Sequence, residues 1–178
     1  MVIFIAGLIG TGKTSLARSL SKELNIYYYD VDLVKKVVYP TDPDYEYNLK
    51  NNIPFSDKTR TKVFNQVVRD FSKLAKKHKY IIVDETLHKK STRQVLFNGA
   101  TKYFGSYIIV LIKANEKNIK KRLEKNKRIG HLLKNPFNMY LSFKNKFEAF
   151  DKVDIIFENN KNLGESTKKL SKLIKEKL

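Results

Sequence analysis

The 178-residue sequence contains no cysteine and no tryptophan, and only 7 glycines and 4 prolines. Without cysteine there is no disulfide framework, no thiolate metal site and no thiol nucleophile. No apolar run approaches the ~20 residues that a membrane-spanning helix requires. Residues 1–6 carry no basic leader and pass directly into a glycine motif, unlike a signal peptide. Acidic residues are scarce as well, 18 Asp+Glu against 36 Lys+Arg, which leaves a net charge of +18. The basic residues recur at helical spacings in 69–79, 113–134 and 161–177, the pattern of solvated helix faces. A field of that sign attracts nucleotides and other anions, and an RNA partner is the lesser reading of it. Hydrophobic residues make up 42% of the chain, enough for one substantial core, so whole-chain disorder is excluded. The expectation is a single cytoplasmic domain over residues 1–178 with no membrane partner.

What is present is an alternation of short β-branched runs with longer amphipathic stretches, the signature of a parallel sheet covered by helices. The runs are residues 2–6, 26–29, 80–83, 107–112 and 153–157. Leu16, Leu20 and Leu24 form one helical stripe. Val63, Phe64, Val67, Val68, Phe71 and Leu74 form another, with Ser56 as its N-cap. Pro136 is placed to open a helix that aligns Tyr140, Phe143, Phe147 and Phe150 as core, and Asn162 with Glu165 caps a last helix. Residues 39–56 and 126–136 lack a clear period and read as excursions from the α/β unit, the second as a lid.

Gly7-Leu8-Ile9-Gly10-Thr11-Gly12-Lys13-Thr14 matches the phosphate-binding loop pattern in full. The glycines let the backbone come close enough to point N–H groups at phosphate oxygens. Lys13 supplies a point charge for the β/γ-phosphates, and the Thr14 hydroxyl ligates Mg²⁺. The helix opening at Thr14 and Ser15 directs its positive end at the same anion. ATP and Mg²⁺ are the expected cofactors. No Asn-Lys-x-Asp element and no Asp-x-x-Gly switch follow, which argues against a GTPase.

Two acidic pairs come next. Ile81-Ile82-Val83-Asp84-Glu85 ends a strand with an acid suited to hold Mg²⁺, and the neighbouring Glu85 could instead polarise water as in hydrolysing ATPases. Asp30-Val31-Asp32 follows the second strand, where the carboxyl ends of parallel strands open towards a ligand. Read as extended chain, its alternation places Asp30 and Asp32 on one side. One would hold the metal and the other would accept the proton of an attacking hydroxyl. Simple capping of a following helix is the alternative. His88 and His131 have no second His or Cys at ligand spacing and read as lid or surface contacts, and His78 as a solvated helix end.

In this series of motifs the chain resembles the small P-loop kinases, namely gluconate, shikimate and adenylylsulfate kinases and the predicted kinases of the zeta-toxin and polynucleotide-kinase type. Asp30 and Asp32 match the group's Asp-x-Asp. Asn52-Ile53-Pro54-Phe55-Ser56-Asp57-Lys58-Thr59-Arg60 follows the gluconate-kinase segment, and Arg122-Leu123 with Arg128-Ile129-Gly130-His131 matches the group's Arg-Leu step and Arg-x-Gly-His lid, at a longer spacing than in gluconate kinases. The resemblance covers residues 1–160 and implies a three-layer α/β/α fold with five parallel strands in the order 2-3-1-4-5. It also implies transfer of the γ-phosphoryl group of ATP to a hydroxyl, or to a phosphate or sulfate ester, of a small molecule. ATP would sit on Gly7, Gly10, Thr11, Gly12, Lys13, Thr14 and Ser15, with Mg²⁺ organised by Thr14, Asp30 and Asp84. Asp32 would be the base, with Lys35 and Arg60 holding the acceptor. Arg122 and the catalytic Arg128 would close over the nucleotide. There are departures. Val31 replaces a usual Gly, Lys35 stands where Arg or His is common, and residues 39–52 match none of these families. An RNA, nucleoside or nucleotide kinase is the nearest alternative, and an ATP-hydrolysing regulator using Glu85 is the alternative of another class.

Overall fold

A computed structural model of the chain describes residues 1–51, 53–125 and 136–178. Five strands, β1 (Val2–Ala6), β2 (Tyr27–Tyr29), β3 (Ile81–Glu85), β4 (Tyr107–Lys113) and β5 (Ile155–Glu158), form one sheet in the order β2-β3-β1-β4-β5. Every neighbouring pair is parallel, as the resemblance implied. The described helices are α1 (Lys13–Leu24), α2 (Val31–Val38), α3 (Tyr45–Asn51), α4 (Asp57–Leu74), α5 (Lys90–Phe104), α6 (Glu116–Lys125), α7 (Pro136–Asn145) and α8 (Leu163–Lys175). None of them is long and apolar enough to cross a membrane.

Strand side chains alternate between two cores, because the pleat has a period of two. Val2, Phe4, Ala6, Ile81, Val83 and Ile109 face α4 and α5, where they meet Val63, Val67, Phe71 and Leu96. Ile3, Ile5, Ile82, Ile108, Val110 and Ile112 face the opposite way onto Leu16 and Leu20 of α1 and Leu170 and Ile174 of α8. Burial of a side chain of this size stabilises the fold by about 1.5–3 kcal/mol. This is why the central strands read as continuous apolar runs in the sequence. A smaller cluster, Ile119, Leu123 and Tyr140 with Leu8 and Ile9, seats α6 and α7 over the glycine loop.

Local signals explain most element ends. Ser56 Oγ accepts from Thr59 N (3.2 Å) to open α4. Asn162 Oδ1 accepts from Glu165 N (3.0 Å) to open α8. Three sequence expectations change. The helix opened by Pro136 stops at Asn145, so Phe147 and Phe150 do not continue its stripe. The chain turns there because Arg93, buried in α5, takes the carbonyls of Glu148 (2.6 Å) and Ala149. Phe150 still packs inward, under the Arg93 guanidinium at 4.2 Å. The unperiodic stretch 39–56 contains a 3-10 turn, Tyr39–Thr41, and α3. Helix α2 begins directly at Val31, so the Asp30–Asp32 segment is not extended chain. The lid expected at 126–136 lies outside the described residues, apart from Pro136.

Candidate active site

The loop after β1 takes its shape from the far end of the chain. Gly12 caps α1 in the left-handed region, φ 89°, and a Cβ there would stand 2.5 Å from Asn159 Nδ2. The Thr11 carbonyl accepts two hydrogen bonds, from Asn159 Nδ2 (2.8 Å) and from Arg122 Nη1 (3.0 Å). In a trans peptide the carbonyl and the following N–H point in opposite directions, so holding Thr11 O outward turns the Gly12 N–H into the loop. At Gly7 a Cβ would meet the Ile112 carbonyl oxygen of β4 at 2.5 Å, so the loop and the sheet come into backbone contact.

Beside this loop is a cavity of about 750 Å³, within the usual range for small-molecule sites. Lys13, Thr14 and Ser15 line one wall, and α6 and the segment after β5 line the other. Five basic side chains border it (Lys13, Lys121, Arg122, Lys125 and Lys161), and among the described residues that line it there is no carboxylate. Such a cavity draws in a polyanion, and the N-terminus of α1 adds to the same field.

The two acids of β3 go to opposite faces of the sheet. Asp84 follows Ile82 onto the α1 face, where Thr14 Oγ1 donates to its Oδ2 (2.6 Å) and the Tyr28 hydroxyl donates to its Oδ1. Burial, then the Asp84 charge, pushes the Tyr28 phenol above its ordinary range, so it stays protonated and remains a donor. A hydroxyl and one carboxylate side by side fit Mg²⁺. That ion prefers one or two protein oxygens and takes the rest of its shell from water and phosphate. Among the described residues no three His, Cys, Asp or Glu cluster as a separate metal cage. Asp30 stands nearby but is committed elsewhere. Its Oδ1 accepts from Asp32 N (3.0 Å) to cap α2, and its Oδ2 pairs with Arg18 Nη2 (3.0 Å).

Glu85 follows Val83 onto the α4 face. Its carboxylate pairs with Lys35 Nζ, which also reaches Asp32 Oδ1 (3.1 Å). Burial opposes the Glu85 charge, but Lys35 and then Arg60 outweigh it and hold the carboxyl at about 2. The same pairing keeps Lys35 above the usual ammonium range despite its burial. Arg60, 7% exposed, donates through Nε to Phe55 O (3.1 Å) and lies over the Phe143 ring at 5.1 Å. His88 sits against the same ring, edge-on at 4.7 Å. It is a buried group and not the surface contact the sequence suggested, and burial, then Arg60, lowers it to about 4.

The structure therefore places Lys13 and Thr14 in the cavity wall with Asp84 behind Thr14, and Asp32, Lys35 and Arg60 around Glu85 on the other side of β3. It does not unite Asp30 and Asp32 by strand alternation. Arg122 borders the cavity and donates to the loop carbonyl of Thr11 and to Asn159 O (2.8 Å). Arg128 and His131 lie outside the described residues.

A family model described as an AAA domain matches residues 3–134. The chain belongs to this AAA family. Solved structures share the fold over the whole length of this AAA domain. A sugar kinase from Janibacter sp. HTCC2649 superposes with a TM-score of 0.76 at 18% identity, covering 98% of this chain and 94% of its own. A gluconokinase from Sinorhizobium meliloti 1021 gives 0.73 at 17% identity, with 98% and 91% covered. The adenylylsulfate (APS) kinase of Mycobacterium tuberculosis, in complex with AMPPNP and APS, gives 0.66 at 14%, with 98% and 96% covered. Identities this low speak for the fold, which is that of the small P-loop kinases. Sequence reasoning had passed over three side chains of this AAA domain, namely Asn159, Tyr28 and Arg18. Asn159 directly follows β5, at the strand ends where α/β sites form, and that position was its only signal.

Proposed function

We propose that the protein is an ATP- and Mg²⁺-dependent phosphotransferase that moves the γ-phosphoryl group to a hydroxyl of a small molecule. The observation that carries this reading is the division at β3. Asp84 meets Thr14 at the cationic cavity, while Glu85, Lys35, Asp32 and Arg60 gather on the other side. A hydrolase needs only the first set, whereas a transferase needs a second polar site for an acceptor. In this reading the glycine loop and Lys13 hold the phosphates, and Thr14 and Asp84 hold the metal. When bound, Mg²⁺ supplies neutralisation of charge on the phosphate oxygens. Asp30, fixed by Arg18, contributes charge nearby. Asp32, half-exposed and steered by Lys35, takes the proton of the acceptor hydroxyl. Arg60 and Lys35 line the acceptor side. Arg122 sets the loop, and Arg128 is the residue of the following segment that would stabilise the transferred group. Catalysis comes from placement and from fixed charge. The ion pair with Lys35 engages Glu85 and so speaks against a water-polarising role for it.

The test is an ADP-release screen over sugars, sugar acids, nucleosides, nucleotides and short RNA, run on wild type and Asp32→Asn. At least one acceptor class is expected to raise ADP release, and Asp32→Asn to lower that increment by about 10²–10⁴-fold. Acceptor-independent ADP release that Asp32→Asn leaves untouched would overturn the reading in favour of a hydrolase.

A further inference from the structure

We propose that Tyr28 is a positioning residue for the metal–nucleotide site, its hydroxyl fixing the rotation of the Asp84 carboxylate while Arg18 steadies the ring from α1. The assignment rests on the nucleotide half of the proposed function and is independent of the acceptor. Its basis is register. Tyr28 of β2 is the partner of Ile82 in β3, so Tyr28, Ile82 and Asp84 direct their side chains to one face, the face that α1 covers. The two Asp84 oxygens are thereby divided between two hydroxyls: Oδ1 accepts from Tyr28, and Oδ2 accepts from Thr14 at 2.6 Å. With Oδ1 taken, the carboxylate cannot turn about its Cβ–Cγ bond, and Oδ2 stays beside the Thr14 hydroxyl.

The aromatic body alone does not account for a tyrosine at this place. The ring packs at the edge of the α1 core, where a phenylalanine would fill the same volume. The hydroxyl is what reaches Asp84. Arg18 has its guanidinium carbon 5.6 Å from the Tyr28 ring centre while Nη2 pairs with Asp30 at 3.0 Å. One helix, α1, therefore carries both Thr14 at its first turn and the arginine that braces the phenol. The glycine loop, β2 and β3 are locked to one another through Asp84, and a movement of the loop is felt by the acid.

The experiment is an Mn²⁺ titration, followed by the electron paramagnetic resonance signal of the free ion, in the presence of a non-hydrolysable ATP analogue. It compares wild type with Tyr28→Phe. Calorimetry of the analogue without metal and urea unfolding accompany it. Tyr28→Phe is expected to weaken Mn²⁺ binding about tenfold, the loss that goes with one hydrogen bond to a charged group. Affinity for the metal-free analogue should stay at its wild-type value while the urea midpoint falls only by the worth of one hydrogen bond, whereas a merely structural role would weaken analogue and metal alike. Equal Mn²⁺ affinity in both proteins overturns the assignment. Should Tyr28→Phe unfold, Arg18→Met keeps the phenol and removes its brace, and a shift of about threefold in the same direction is expected, with no shift overturning the proposal. A wild-type protein that takes no Mn²⁺ with the analogue would defeat the nucleotide reading itself, and this assignment with it.

Discussion

The two faces of β3 solve the problem of placing an acid in opposite ways. On the α1 face, Asp84 is met by neutral hydroxyls, Thr14 and Tyr28, and the first of these lines a cavity bordered by cations. On the α4 face, Glu85 is compensated on the spot by Lys35, with Arg60 behind it. An acid held by neutral donors keeps its charge available for an incoming cation. An acid already paired with an ammonium group contributes architecture, and the charge left over for a ligand is small. Two adjacent carboxylates of one strand, alike in sequence, are thus divided by the pleat into one held by hydroxyls and one held by an ion pair.

The largest expected effect breaks this comparison on the compensated side. Lys35→Met leaves Glu85 buried without its ion-pair partner, which should cost about 3–5 kcal/mol of stability in urea unfolding. The double variant Lys35→Met/Glu85→Gln should recover most of that. Asp84→Asn, on the other face, should cost less, about 1.5–3 kcal/mol, the scale of a hydrogen bond to a charged group, because it leaves no buried charge uncompensated. Equal losses for Lys35→Met and Asp84→Asn would erase the distinction.

A pH titration of stability sharpens it. His88 is at about 4 in the fold against an ordinary value of 6.5. As pH falls, the unfolded chain takes this proton first, so the contribution is full above 6.5 and is lost towards 4. Its size is about 3 kcal/mol. Glu85, lowered to about 2 from 4.5, begins to lose its contribution only below 4.5. The window from pH 6.5 to 4.5 therefore isolates His88, and His88→Gln should flatten the slope there. An unchanged slope would place the histidine in water instead of against Phe143.

The smallest effect tests the cavity side. Asn159→Ala removes one of the two donors on the Thr11 carbonyl and leaves Arg122 in place. Affinity for a non-hydrolysable ATP analogue should fall about fivefold by calorimetry, the scale of one neutral hydrogen bond. No change would mean that Arg122 alone shapes the loop.

These contrasts also mark where the sequence was legible. The five strands and the glycine loop could be read because their signals are local: five apolar runs, one contiguous motif, a Ser56 cap three residues before the N–H that donates to it; the strand order came only with the family resemblance. The roles of Asp84 and Glu85 could not be separated without knowing which core each faced. The Asp30–Asp32 segment was misread because its geometry depends on a hydrogen bond from Asp32 N to Asp30, which starts a helix where extended chain was expected. The stripe through Phe147 and Phe150 failed for a distant reason, since Arg93 draws the chain out of the helix from 55 residues away. Helix α5 itself gave little signal, because buried Thr92, Arg93 and Gly99 interrupt its apolar face. Tyr28, Arg18 and Asn159 carry no motif at all, and their meaning comes only from what the fold sets beside them.

The bond from Asn159 to Thr11 spans 148 residues. During synthesis every residue of the phosphate motif therefore emerges well before the Asn159 amide, one of the two donors on its Thr11 carbonyl. A nascent chain that stops short of β5 thus displays the whole motif with the Thr11 carbonyl held by Arg122 alone. The second hold on the loop is added only when β5 docks.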